Sequence, residues 1–220
     1  MYSFIEGPLV SISFAIFILG LFYQVIQFFK LTRKKRRILP RSPGMERQKN
    51  PLRQSIFERF NFTRGTFWQT DPLMMIMTSL FHGCLILTPV FLLGHNILLD
   101  QSWGIRIWSV PESLTDVLTI VLLICAVYFI TRRIFLARVR AITSFYDYFV
   151  LLVAVVPFFT GLLAYHQFFD YRIVMLLHIL SGELMLITMP FTKLGHMLFF
   201  FLYRFFIAGE YSFTRGSRTW

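Results

Sequence analysis

Long apolar runs alternate with short polar breaks along this chain. Apolar residues fill 9–29, 73–98, 114–135, 146–165 and 173–206 with very little charge. About 20 such residues in a helix rising ~1.5 Å each cross the ~30 Å hydrocarbon core of a bilayer. The pattern therefore predicts an all-α integral membrane protein with five transmembrane helices bundled into one domain, residues 1–220. No internal repeat, glycine-rich phosphate loop or nucleophile motif interrupts it.

Composition agrees, since 56% hydrophobic residues and 27 Phe in 220 positions exceed what one soluble domain of that size can hide. A net charge of +11 would suggest nucleic acid in a soluble chain, but here the cations gather between the apolar runs. Lys30 and the run from Arg33 to Arg37 follow the first span, and Arg132, Arg133, Arg138 and Arg140 follow the third. Threaded through five spans, twenty Lys and Arg fall on one side, and only Arg106 and Arg172 on the other. The positive-inside rule then places the N-terminus outside (periplasmic) and the C-terminus in the cytoplasm, in a cell inner membrane. No nucleic acid is expected.

The basic stretch 30–72, with Pro40, Pro43, Pro51 and Pro72 as breakers, reads as a cytoplasmic loop. It either lies on anionic lipid or docks a partner subunit, and Ser55 to Phe62 within it suggests a short interfacial helix. The first span lacks a basic lead-in and is read as a retained anchor. Cys84 and Cys125 have no CxxC context and are read as small buried residues.

The histidines carry the chemistry. His178 and His196 stand 18 residues apart, five turns of an unbroken helix, so both imidazoles would face one way about 27 Å apart. His82 and His95 stand 13 apart on the second span, out of phase in an ideal helix, with Pro89 between them to bend it. The two spans run antiparallel, which matches His82 in depth with His196, and His95 with His178. Imidazoles at such depth are costly without partners.

Two helices that each offer one imidazole at two depths make two bis-histidine sites. Haem iron takes two axial ligands on opposite faces, and its apolar body fits between helices, so two haem b groups are expected. Gly83, Gly94, Gly182 and Gly195 would leave room for the rings. Zinc fits less well, because no cysteine or carboxylate completes a tetrahedron at either depth. His166 is a lesser alternative to His178 as outer ligand.

The run His178 to His196 with Pro190-Phe191-Thr192-Lys193-Leu194-Gly195 before the second histidine, together with Phe81-His82 and Gly94-His95, resembles the gamma subunit of respiratory nitrate reductase. Similar cytochrome b subunits serve heterodisulfide-reductase-like and transmembrane cytochrome c-linked redox complexes of anaerobes. The resemblance implies a five-helix anchor holding two b haems through the same four histidines, with a quinol site near the outer haem. It also implies a cytoplasmic iron-sulfur subunit as partner, a menaquinone-type quinone as substrate, and in some complexes a periplasmic multihaem cytochrome c.

A quinone pocket needs an apolar slot and a few polar or titratable groups. Asn96, His166, Asp170, Arg172 and Glu183 are the candidates, with Gln167 and Tyr171 beside them. Glu183 stands out as a carboxyl group inside an apolar helix, able to relay protons. Lys193 is expected either to meet a haem propionate or to reach the cytoplasmic interface. Two other classes compete: a proton or metal transporter using His82, His95 and Glu183, and a structural anchor with satisfied histidines. No catalytic residue is expected on this chain, whose role would be electron transfer within an oxidoreductase complex.

Overall fold

Every regular element in the described part of the computed structural model, residues 5–36 and 71–202, is a helix. After a wide turn at Ile5–Leu9, α1 runs Val10–Arg36. Pro72 opens α2 (Pro72–Phe91), where its missing N–H costs nothing and the Asp71 side chain accepts from the Met74 amide at 3.2 Å. Then come α3 (Leu93–Trp103), α4 (Glu112–Phe135) and the short α5 (Ala137–Arg140). Next, α6 (Phe145–Tyr165) starts on a reciprocal capping box between Ser144 and Asp147. Last are α7 (Tyr171–Thr188) and, after two tight turns, α8 (His196–Leu202).

Five stretches are long and apolar enough to cross a membrane: Gly7–Leu31, Pro72–Phe91, Glu112–Phe135, Phe145–Tyr165 and Tyr171–Phe191. Many of their large apolar side chains point outward, as suits a lipid-facing surface. Around the bundle α1 packs on α7, α7 on α6, α6 on α4 and α4 on α2. The edge-to-face contact of Phe14 with Trp103, 5.3 Å between centroids, brings α1 to the end of α3. α2, which carries His82, and α7, which carries His178, are not among the closely packed pairs; His95 lies on α3 and His196 opens α8.

The tightest core lies between α2, α4 and α6, where Phe81, Cys84, Leu122, Cys125, Ala126 and Phe158 are buried together. Both cysteines are free thiols there, and Cys125 Sγ lies 3.8 Å from Met77 Sδ. At one end, called the basic end below, Asp71 pairs with Arg132 and Arg138, and Lys193 with Asp147 at 2.6 Å. These contacts tie α2, α4, α6 and the segment after α7 together at one level.

Two expectations about continuity fail for one physical reason. The second span is not a single helix over 73–98: it breaks at Leu92, whose ψ of 129° is extended, three residues after Pro89. The final span is not one helix over 173–206 either. α7 stops at Thr188, tight turns follow at Met189–Phe191 and Lys193–Gly195, and Thr192 between them is extended. Proline has no N–H for the ladder and crowds the carbonyl four residues back, so Pro89 and Pro190 both weaken the helix at these points. The five-turn phase from His178 to His196 therefore does not exist.

Two boundaries also move. The basic residues as far as Arg36 belong to α1, not to a loop from residue 30, and helix continues to Trp103 where a loop from 99 is expected. There Gly104, at φ 67°, supplies the left-handed cap and bonds its N–H to Asp100 O at 2.9 Å. The region 55–62 and positions 203–206 lie outside the described residues.

Candidate functional site

The four histidines meet as two pairs, His82 of α2 with His196 at the start of α8, and His95 of α3 with His178 of α7. Toward the basic end, His82 Nε2 and His196 Nε2 are 3.4 Å apart, with ring centroids at 5.7 Å and planes at 89°. The centroid separation exceeds the nitrogen gap by about a ring diameter, so the two nitrogens point at each other nearly head-on. Toward the other end, the His95 and His178 rings lie 6.0 Å apart with planes at 15°.

All four rings are held the same way, by a backbone carbonyl at Nδ1. His82 Nδ1 meets Thr78 O at 2.8 Å, His95 Nδ1 meets Pro89 O at 3.0 Å, His178 Nδ1 meets Pro157 O at 2.9 Å and His196 Nδ1 meets Lys193 O at 2.6 Å. A carbonyl only accepts, so each Nδ1 carries the hydrogen and each neutral ring turns a lone pair outward at Nε2. Metal-binding histidines are oriented by this kind of partner.

The helix breaks supply some of these carbonyls. The end of a helix leaves its last carbonyls without intrahelical donors. At the break after α2, Thr88 O takes the Leu92 amide, Phe91 O takes the Val110 amide, and Pro89 O is left for His95. Lys193 O, in the turn before α8, serves His196 in the same manner. Gly161 leaves space for His178, because a Cβ at that position would stand 3.0 Å from the ring Cε1.

Two lone pairs aimed at each other across 3.4 Å repel unless a cation lies between them. Among the described residues no three His, Cys, Asp or Glu side chains cluster as a metal site, so each pair offers a metal two protein nitrogens and no more. Zinc in a protein site takes three or four protein ligands. Two imidazoles on opposite sides of one metal, at ~2.0–2.1 Å per bond, would stand about 6.4 Å apart between centroids. The observed 6.0 Å lies close to that spacing and the observed 5.7 Å falls short of it. A Cβ built on Gly83, Gly94 or Gly182 meets nothing within 4 Å, so open space lies beside His82, His95 and the turn after His178. Gly195 differs, being buried against Met189 O and Pro190 O.

The other sequence candidates scatter. His166 does not approach His95; its Nε2 lies 3.0 Å from Asp116 Oδ1 at the start of α4, and the adjacent Tyr165 donates to Glu112. Asp170 caps α7 by accepting from the Ile173 amide, and Arg172 is exposed in the first turn of that helix. Gln167 takes a positive φ of 54° in the turn after α6, and Tyr171 is exposed at the start of α7. Asn96 is buried and donates to Ser109 Oγ at 2.8 Å, while its own carbonyl oxygen has no partner among the described residues. Glu183 is buried with both oxygens unpartnered among those residues. Lys193 is exposed at the basic end, where its ammonium group pairs with Asp147 and the Tyr146 ring lies 5.4 Å from it.

Sequence reasoning missed Gly161, the carbonyl partners, and the acidic partners of His166 and Lys193. The prolines were the usable signal, because Pro89, Pro157 and Pro190 each stand where a histidine is seated or a helix is broken.

No protein-family model matches the chain. A protein of Nitratidesulfovibrio vulgaris (strain Hildenborough) is 35% identical over 220 residues, which is 100% of this chain and 97% of its own length. Its name assigns it no activity.

Proposed function

The chain belongs to the same family as that Nitratidesulfovibrio vulgaris protein, and we propose that it is a dihaem cytochrome b membrane subunit of a respiratory redox complex. The observation that supports this reading is a pair of histidines at each of two levels, His82 and His196 with their Nε2 atoms facing and His95 and His178 with rings 6.0 Å apart, all four with Nδ1 against a carbonyl. One haem b would be held by His82 with His196 and the other by His95 with His178; when bound, the group supplies reversible one-electron chemistry. Four ring nitrogens remain for the macrocycle to contribute, which explains why the protein brings only two donors to each site.

This chain's residues fix the tautomers, hold the rings in depth and surround them with apolar side chains. The His82 and His196 pair, with nitrogens 3.4 Å apart, would have to open by roughly 0.7 Å to hold one metal at ~2.0–2.1 Å per bond. Two centres at different depths would relay single electrons between the two faces of the membrane.

The proposed setting follows from charge and resemblance. The basic end is the cytoplasmic side of an inner membrane, with the N-terminus outside, because Lys and Arg concentrate there. A cytoplasmic iron-sulfur subunit meets that end. A menaquinone-type pool or a periplasmic multihaem cytochrome c exchanges electrons at the other, where Asn96, with its unpartnered oxygen, lies nearest to His95 in sequence among the polar candidates. The nitrate reductase gamma subunit is the best-defined relative in kind.

The test is the reduced-minus-oxidised visible spectrum and haem content of detergent-purified protein, in wild type, His95→Ala and His196→Ala. Two b-type haems per chain, with each substitution removing a different one, are expected. Protein from haem-replete cells without a haem signal overturns the reading. A second reading has one observation in its favour: 3.4 Å is also hydrogen-bond range. A proton shared by His82 and His196 would suit a proton-transporting protein, which would transport normally without haem.

A further inference from the structure

We propose that Glu183 is held as an uncharged carboxylic acid at the seam between α1 and α7, and that it exchanges its proton in step with the charge at the His95 and His178 centre. The second part rests on the dihaem reading; the first stands on the geometry alone.

Glu183 retains only 5% of its surface, and neither carboxyl oxygen has a hydrogen-bond partner among the described residues. An ionised carboxylate in such a place would lack the pairing that a buried charge requires. It also lies on the apolar helix α7, one and a half turns past His178 and before the break at Pro190. That position is between the two histidine pairs.

The seam is fixed by close contacts that let α1 be read against α7. Gly20 lies against Pro190, where a Cβ would stand 2.6 Å from the ring Cγ. Gln24 donates to Pro190 O at 2.8 Å, and Phe28 meets Phe199 further along. The two segments thus run parallel. Seven residues back along both, about two turns, Ser13 comes level with Glu183. Ser13 is fully buried, and its hydroxyl donates to Leu9 O at 2.9 Å, which leaves its oxygen free to accept.

Among the described residues of the helices packed on α7, no Lys or Arg lies near that level. α6 carries no Lys, Arg or His, and its titratable groups are Tyr146, Asp147, Tyr148 and Tyr165 near its ends. On α1 they are Tyr23, Lys30 and the basic run to Arg36, and Glu6 sits in the turn before it. On α7 itself they are Tyr171, Arg172 and His178. The nearest group whose charge changes with function is therefore the centre on His178. Adding one electron there adds one negative charge, which favours a proton on Glu183; removing the electron favours its release. The electron comes from the redox partner and the proton from water.

The experiment labels intact purified protein with a hydrophobic carbodiimide, which attacks protonated carboxyl groups in apolar surroundings, and maps the adduct by peptide mass spectrometry. Wild type is labelled at Glu183, and more strongly after dithionite reduction than after ferricyanide oxidation. In redox titrations across pH 6–8, the midpoint potential of the haem lost in His95→Ala depends on pH in wild type. That dependence is lost in Glu183→Gln, which keeps shape and neutrality, and is retained in Glu183→Asp. Absence of label in both redox states overturns the uncharged acid. Equal labelling in both states, or an unchanged pH dependence in Glu183→Gln, overturns the coupling. Should Glu183→Gln not assemble, the labelling of wild type and the Glu183→Asp titration decide. A preparation without haem overturns the dihaem reading and the coupling, while the label still reports the charge state of Glu183.

Discussion

His82 and His196 direct their Nε2 atoms at each other across 3.4 Å, with ring planes at 89°, and each ring is pinned from behind by a carbonyl. The His95 and His178 rings are nearly parallel, at 15°. Perpendicular axial imidazoles leave the two π-type orbitals of an iron nearly equal in energy, and parallel ones split them. The oxidised protein is expected to give two distinct low-spin electron paramagnetic resonance signals, the more anisotropic from the pair nearer the basic end. His196→Ala should remove that signal and leave the other.

Gly161 sets the clearance for one ring. Alanine there would bring a Cβ within 3.0 Å of His178 Cε1 and 3.2 Å of Nδ1. Overpacking of this kind costs about 1–3 kcal/mol, and here the strained contact is the ring itself. Gly161→Ala should displace His178 from Pro157 O; if the dihaem proposal holds, one haem is lost or spectrally shifted while the other stays at wild-type occupancy.

Gly20 sets the clearance for a whole helix. A Cβ at Gly20 would approach Pro190 Cγ at 2.6 Å and Cβ at 2.8 Å, and a proline ring cannot swing aside. Gly20→Ala should destabilise the bundle by about 1–3 kcal/mol, and Gly20→Leu by more. A lower melting temperature in detergent, together with carbodiimide labelling spread beyond Glu183, is the expected signature of α1 lifting off α7.

Asp71 gives the acid side of the stability profile. The Met74 amide, followed by the guanidinium groups of Arg132 and Arg138, holds its carboxyl below the ordinary aspartate range despite some desolvation. A depressed folded-state value means the stabilisation is complete above the unfolded value of ~3.9 and is lost as pH falls through the lower folded value. Melting temperature followed from pH 7 to pH 3 should therefore fall less steeply in Asp71→Asn than in wild type. At pH 7 the variant should melt lower, because α2 loses its cap and α4 an ion partner.

What the sequence by itself determined is what depends on local length and charge. Five apolar runs, the basic clusters and the order of the four histidines along antiparallel spans were enough to match His82 with His196 and His95 with His178 in depth, because depth is a count of residues from the end of a span. Phase was not legible. Which way a ring faces after a break depends on the dihedral angles at Leu92 and Thr192, and packing sets those. An unbroken last helix was the natural reading of 173–206; the partner of His196 came from depth, and the shared facing of His178 and His196 rested on a phase that the chain does not have. The carbonyls at His82, His95 and His196 are local, whereas the one at His178 came from the tertiary structure, since Pro157 O reaches it from another helix. The tertiary structure also decided that Lys193 meets Asp147 and His166 meets Asp116, because these partners stand 46 and 50 residues apart in the chain and only the packing of the helices brings them together.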